Sequence, residues 1–232
     1  MLRLTPNRLT LLRIVLLPLP CFLLFGGPES KLTALGLGSL LGLTDYLDGR
    51  MARRIGSSRL GALLDPVADK IFVGVTYLLL YRLGYLPYVL VFPLLLREIL
   101  VSGLRGIQPE GLRVRRLARF KTALQMGGAG MIILAGFLPV FPGRLIMEMV
   151  AGGVLILTWI SAWPYLRRGV PALGSFPGGW GNFSLTVIPP VVLLGLFPMS
   201  GTFWPLVLVL LGGSFLSGLL LSFRRPAKVL NG

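Results

Sequence analysis

The chain contains no histidine and a single cysteine, Cys21. Without histidine there is no imidazole base, no histidine nucleophile and no zinc–histidine site, so proton transfer falls to a carboxylate, a lysine or a tyrosine. One cysteine excludes an internal disulfide and a thiolate metal cluster. Acids are scarce too: Asp and Glu together number 8 in 232 residues, against 23 Lys and Arg. What is abundant is apolar. The chain is 54% hydrophobic with a mean hydropathy of +0.81, a composition of polytopic membrane proteins rather than soluble domains. The net charge of +15 raises nucleic-acid binding as an alternative. No basic module interleaved with aromatics occurs, and the positive-inside rule accounts for the charge instead. In the segment order given next, Lys31, Arg82 and Arg144 fall outside, and the other basic residues fall inside or near the inner surface. Both termini are therefore expected on the cytoplasmic side of the cell membrane. Arg3, Arg8 and Arg13 precede an apolar run as in a signal peptide, but no small-residue cleavage site follows, so a retained first membrane helix is expected.

Helices are predicted over 9–25, 32–48, 66–83, 87–105, 119–140 and 145–166, with two further apolar segments at 183–197 and 203–223. The expected fold is thus all-α and polytopic. A six-helix core occupies 1–170, and a C-terminal extension over 171–232 carries one or two more membrane helices and a basic tail. Gly36, Gly38 and Gly42 suit close helix packing, which in lipid depends on small residues. Gly84 is expected to end the third helix. The segment at 183–197 is short for a span and holds Pro189 and Pro190, which predicts a kink or a re-entrant path.

Half of the chain's acids stand between residues 45 and 69, in the stretch DYLDGRMARRIGSSRLGALLDPVAD. They form two pairs, Asp45/Asp48 and Asp65/Asp69, spaced i, i+3 and i, i+4. On helices each spacing puts both residues on one face. Gly49 after the first pair and Pro66 after Asp65 predict that the first pair closes one helix and that Asp65 caps the next. Long apolar runs flank the stretch, and ionisable groups beside hydrocarbon mark a functional site. Four converging carboxylates repel one another unless cations neutralise them, and an all-oxygen site suits Mg²⁺ or Mn²⁺. Helix caps paired with nearby arginines are the plainer explanation, but one cap accounts for one aspartate. Small residues at Gly49 and Ala52 allow a flat group to approach the backbone, and Arg53 offers a planar fork for phosphate. Arg50, Arg54 and Arg59 read equally well as positive-inside loop charge.

The spacing Asp45-x-x-Asp48-Gly49-x-x-Ala52-Arg53, seven residues, then Gly61-x-x-x-Asp65-x-x-x-Asp69 resembles the signature of the CDP-alcohol phosphatidyltransferases. Eight fixed positions make it specific, and the resemblance covers roughly residues 5–170. It implies six transmembrane helices, commonly in a homodimer, with a cytoplasmic active site. It also implies that Asp45, Asp48, Asp65 and Asp69 hold a pair of divalent metals, that Asp69 is the general base, and that Gly49, Ala52, Arg53 and Gly61 seat the CDP-diacylglycerol donor.

A second polar cluster bears on the acceptor. Glu98, Ser102 and Arg105 stand at i, i+4, i+7 on one helix face, with Arg97 beside them and Lys121, Thr122 and Gln125 opening the next helix. Arg97 lies roughly 12 Å from Arg105 by helix rise, too deep for easy snorkelling. A cavity lined by Arg97, Ser102, Arg105 and Lys121 suits an anionic acceptor; alternatively Arg97 and Arg105 balance Glu98 and the aspartates. The strings PNRLTLLR (6–13), REILVSGLR (97–105) and KTALQM (121–126) are similar to the phosphatidylglycerophosphate synthases of the family. That likeness implies sn-glycerol 3-phosphate as acceptor and Asn7, Thr10 and Arg13 near the donor. WISAWPYLRR (159–168) resembles the end of the family's sixth helix, where Arg167 reads as a cytoplasmic anchor. Two other readings stand beside this one. Phosphatidylglycerol, serine or an inositol phosphate would serve as acceptor in the same chemistry. A divalent-cation transporter would also gather acids, but near the bilayer midplane on broken helices, not beside an arginine-rich segment that repels cations.

Overall fold

The structure, a computed structural model, describes residues 15–55, 59–107, 116–137, 143–175 and 178–224, with side chains described except at 45–69, 106–120, 215–216 and 218–224. Among the described residues there is helix and no strand. The elements are α1 (Pro18–Leu23), α2 (Pro28–Ile55), α3 (Arg59–Arg82), α4 (Tyr88–Ile107), α5 (Arg116–Phe137), α6 (Gly143–Ala172), α7 (Gly179–Leu196) and α8 (Trp204–Arg224). Short 3₁₀ turns at Leu173–Ser175 and Phe197–Phe203 follow α6 and α7.

Two helix ends differ from expectation. Helix α2 does not close at Asp48 but continues through Gly49 to Ile55. Likewise α3 begins at Arg59, ahead of Asp65, so Asp65 lies within the helix and is not its N-cap. One glycine costs about 1 kcal/mol in a helix, too little to stop a segment whose next residues, Arg50, Met51, Ala52 and Arg53, are good helix formers. The apolar Leu60–Leu64 stretch likewise extends α3 upstream of Pro66. The end of α3 is as expected. Gly84, at φ 72°, takes the left-handed position after the helix. Tyr85 N donates to Leu80 O and Gly84 N to Tyr81 O, both at 2.9 Å, the paired bonds of a Schellman cap.

The chain divides into two compact units, Met1–Pro87 with Leu124–Gly152, and Tyr88–Ala123 with Gly153–Gly232. In the first, four successive residues of α3, Tyr77 to Leu80, are all fully buried. The Tyr77 hydroxyl donates to Gln125 O at 3.0 Å and ties α3 to α5. Gly136 of α5 makes room for the Tyr85 ring, since a Cβ there would fall 2.5 Å from Tyr85 Cζ.

The second unit has its core where Val101 and Leu104 of α4 meet Ala162 and Tyr165 of α6, with Leu173 and Phe183 packed on them. Helices α7 and α8 pack on each other and on α4. Gly103 marks the closest approach: a Cβ there would lie 2.7 Å from Val187 Cγ2. The C-terminal helices thus share a unit with α4. Pro189 and Pro190 lie inside a helix that starts four residues earlier than expected. The reversal between α7 and α8 comes at Gly201, with φ 50° and ψ −123°.

Two helical stretches among the described residues, Gly143–Ser175 and Gly179–Ser214, are long and apolar enough to cross a membrane. The surface is unusually apolar and one charged cluster is buried. Trp163, Met199, Phe203 and Val209 are exposed, while Arg97 and Glu98 are buried at 4% and 7%. An exterior of large apolar side chains is what lipid solvates.

Candidate active site

The acid pairs sit on the helix pair α2–α3. Asp45 and Asp48 are in α2, Asp65 and Asp69 in α3, each pair one turn apart on helical backbone. A polar contact at the far end fixes the register of the two helices. Lys31 Nζ, near the start of α2, donates to the hydroxyl of Tyr85, just past the end of α3, at 2.8 Å, and lies 5.3 Å from the ring centroid. Along α2, Asp45 and Asp48 stand about 21 and 26 Å from Lys31; along α3, Asp69 and Asp65 stand about 20 and 26 Å from Arg82. The pairs are therefore level in an antiparallel couple of helices. Four aspartate positions at one level on two helices are a residue set whose chemistry, oxygen donors only, fits a hard divalent cation. No group of three acids or cysteines occurs among the residues whose side chains are described.

Gly49, Ala52 and Arg53 continue α2 beyond the first pair, and Gly61 lies one turn before Asp65 on α3. Their backbone is helical, and their side chains lie outside the description, as do those of the four aspartates. Asn7, Thr10 and Arg13 lie outside the described residues altogether.

Arg97, Glu98, Ser102, Arg105 and Lys121 of the second cluster belong to one unit. Glu98 Oε1 accepts from Arg97 Nη1 at 3.0 Å and from Lys121 Nζ. Arg97 also donates from Nε to Thr158 O at 3.0 Å and from Nη2 to Ser161 Oγ at 2.8 Å. Trp159 Nε1 donates to Pro93 O at 3.2 Å. Helix α4 is thus pinned to α6 through Arg97 and to α5 through Glu98 and Lys121. The Ser102 hydroxyl donates to the Glu98 carbonyl within its own helix. Arg105 is half-buried at the last turn of α4. Arg97 and Lys121 are therefore brought together, but through an intervening carboxylate. Arg97 and Ser102 spend the donors named above on the protein itself. Arg167 is exposed, as an anchor would be.

Three residues of this cluster escaped sequence reasoning: Thr158, Ser161 and Tyr165. They recur at i, i+3, i+7 along α6, a polar line on one face of an otherwise apolar helix, and that periodicity was the available signal. The Tyr165 hydroxyl is buried with no hydrogen-bond partner among the described residues.

Residues 3–163 match the family described as CDP-alcohol phosphatidyltransferase. The chain belongs to that family. The CDP-alcohol phosphatidyltransferase match takes in both acid pairs and the Arg97 cluster, and ends before α7. Among similar proteins, one from Rickettsia typhi named CDP-diacylglycerol–glycerol-3-phosphate 3-phosphatidyltransferase is 35% identical over 170 residues, 71% of this chain and 92% of that one. A protein of the same name from Pseudomonas fluorescens is 36% identical over 181 residues, 70% of this chain and 91% of its own length. A third, from Mycobacterium tuberculosis and named probable phosphatidylglycerophosphate synthase, is 31% identical over 179 residues, with 72% and 82% covered.

Proposed function

We propose that this phosphatidyltransferase moves the phosphatidyl group of CDP-diacylglycerol to sn-glycerol 3-phosphate, giving phosphatidylglycerophosphate and CMP. The observation that carries the reading is the likeness, along nine-tenths of their length, to relatives named for that reaction. The signature Asp45-x-x-Asp48 to Asp65-x-x-x-Asp69 supports the chemistry.

In this reading Asp45, Asp48, Asp65 and Asp69 hold two Mg²⁺ or Mn²⁺ ions. When bound, such ions offset the diphosphate's negative charge and stabilise the departing CMP. Asp69 takes the proton of the acceptor hydroxyl, a task that in a chain without histidine falls to a carboxylate, a lysine or a tyrosine. The oxygen so freed attacks the diacylglycerol-bearing phosphorus, and the bond to CMP breaks. Gly49, Ala52, Arg53 and Gly61, with Asn7, Thr10 and Arg13, seat the donor. Lys121 and Arg105 contact the acceptor phosphate, with Arg97 and Ser102 supporting that cluster. The donor's acyl chains require a site at a membrane surface, which agrees with the apolar exterior. The protein is then a multi-pass cell-membrane enzyme with a six-helix core over 1–170, a C-terminal extension, a cytoplasmic active site and a homodimeric state.

The test is a purified-protein assay of CMP release from CDP-diacylglycerol with Mg²⁺ and parallel acceptors. Glycerol 3-phosphate is expected to be preferred over phosphatidylglycerol, serine and inositol phosphate. Preference for an uncharged alcohol would overturn the acceptor assignment.

A further inference from the structure

We propose that Glu98 is a positioning residue for the acceptor, acting through Lys121. The inference rests on the acceptor reading above and adds a group that touches no substrate. A lysine ammonium on four methylenes is a mobile charge, and a phosphate clamp needs it held still. Glu98 supplies the hold. Its Oε1 accepts from Lys121 Nζ and from Arg97 Nη1. Arg97 is itself fixed by Thr158 O and Ser161 Oγ of α6. Lys121 is thereby referred to the rigid α6 backbone through two linked side chains, although it lies on α5. Bridging a carboxylate and contacting a phosphate are compatible in an ammonium with three N–H donors.

Charge points the same way. Glu98 is 7% exposed and Arg97 4%. Buried charges persist only when paired, and here one carboxylate answers two cations, Arg97 and Lys121. Arg97 is the buried member of the pair and Lys121 the one that reaches it from α5, so the carboxylate ties the lysine to a fixed charge.

The experiment uses the full chain, purified in detergent with lipid, and separates kcat from both KM values. Glu98→Gln is expected to raise the KM for glycerol 3-phosphate about tenfold or more, the effect of losing one charged hydrogen bond. The KM for CDP-diacylglycerol stays within twofold of wild type. Glu98→Asp, which keeps the charge but withdraws it by one methylene, gives a smaller rise. Lys121→Met raises the acceptor KM by itself, and adding Glu98→Gln to it raises the KM no further, because the two act as one unit. Should Glu98→Gln fail to fold, Glu98→Asp alone and combined with Lys121→Met carries the same test. An unchanged acceptor KM in the Glu98 variants overturns the proposal. So does a parallel loss of kcat and both affinities that is additive with Lys121→Met, the mark of a purely structural pair. Wild-type protein that releases no CMP with glycerol 3-phosphate would instead sink the underlying acceptor reading, and this inference with it.

Discussion

An alcohol is a poor nucleophile until its proton has somewhere to go, and in the proposed mechanism the group that takes it is Asp69. Asp69→Asn is therefore expected to lower turnover by about 10²–10⁴ while metal binding is retained. Calorimetric titration with Mn²⁺ alongside the CMP-release assay checks both halves, and full activity in this variant would refute the base assignment. Arg97 belongs to a different class of residue. Its guanidinium holds Glu98, Thr158 and Ser161 at 4% exposure. Breaking a buried ion pair from one side strands the other charge, so Arg97→Met is expected to cost about 3–5 kcal/mol, read as a lowered unfolding temperature in detergent. Arg144 pairs with Glu148 at 2.9 Å on an exposed helix face, and Arg144→Ala should leave that temperature almost unchanged.

At the scale of elements, the acid positions depend on how α2 and α3 are registered. Lys31, near the start of α2, donates to Tyr85, just past the end of α3, and rigid helix rise then carries the register to the backbone positions of the two acid pairs. The contact between α4 and α7 is equally specific. Because a Cβ at position 103 would fall 2.7 Å from Val187 Cγ2 and 3.3 Å from the Phe183 ring, Gly103→Ala should destabilise by about 1–3 kcal/mol through overpacking. Adding Val187→Ala opens that space and should recover part of the loss; thermal unfolding of the single and double variants decides it. A double variant no better than the single one would show that α7 does not press on α4 there.

For the whole molecule, apolar cores are joined to an apolar surface, with the acid positions on helices of one unit and the Arg97–Glu98–Lys121 cluster in the other. If the four aspartates hold divalent ions as proposed, chelation with EDTA should abolish CMP release, and Mg²⁺ or Mn²⁺ should restore it. Activity that survives exhaustive chelation would remove the metal assignment while leaving the family membership intact. The C-terminal helices α7 and α8 lie beyond the family match at 3–163, yet they share a core with α4 through Gly103, Phe183 and Leu173.

The family was legible in the residues alone, because its signature fixes residue type and spacing over a short stretch: four aspartates, two glycines, Ala52 and Arg53 within 25 positions. The helical class was legible for a similar reason, since apolar runs of membrane length leave the backbone no other way to satisfy its hydrogen bonds. Helix ends were less so. Gly49 and Pro66 are local signals of about 1–3 kcal/mol, and α2 and α3 run through both. Only the tertiary structure decided which partner each buried charge would take. Arg97, Glu98 and Lys121 are adjacent or distant in the chain without any pattern that joins them, and it is the packing of α4 against α5 and α6 that brings Lys121, Thr158 and Ser161 to one carboxylate and its arginine.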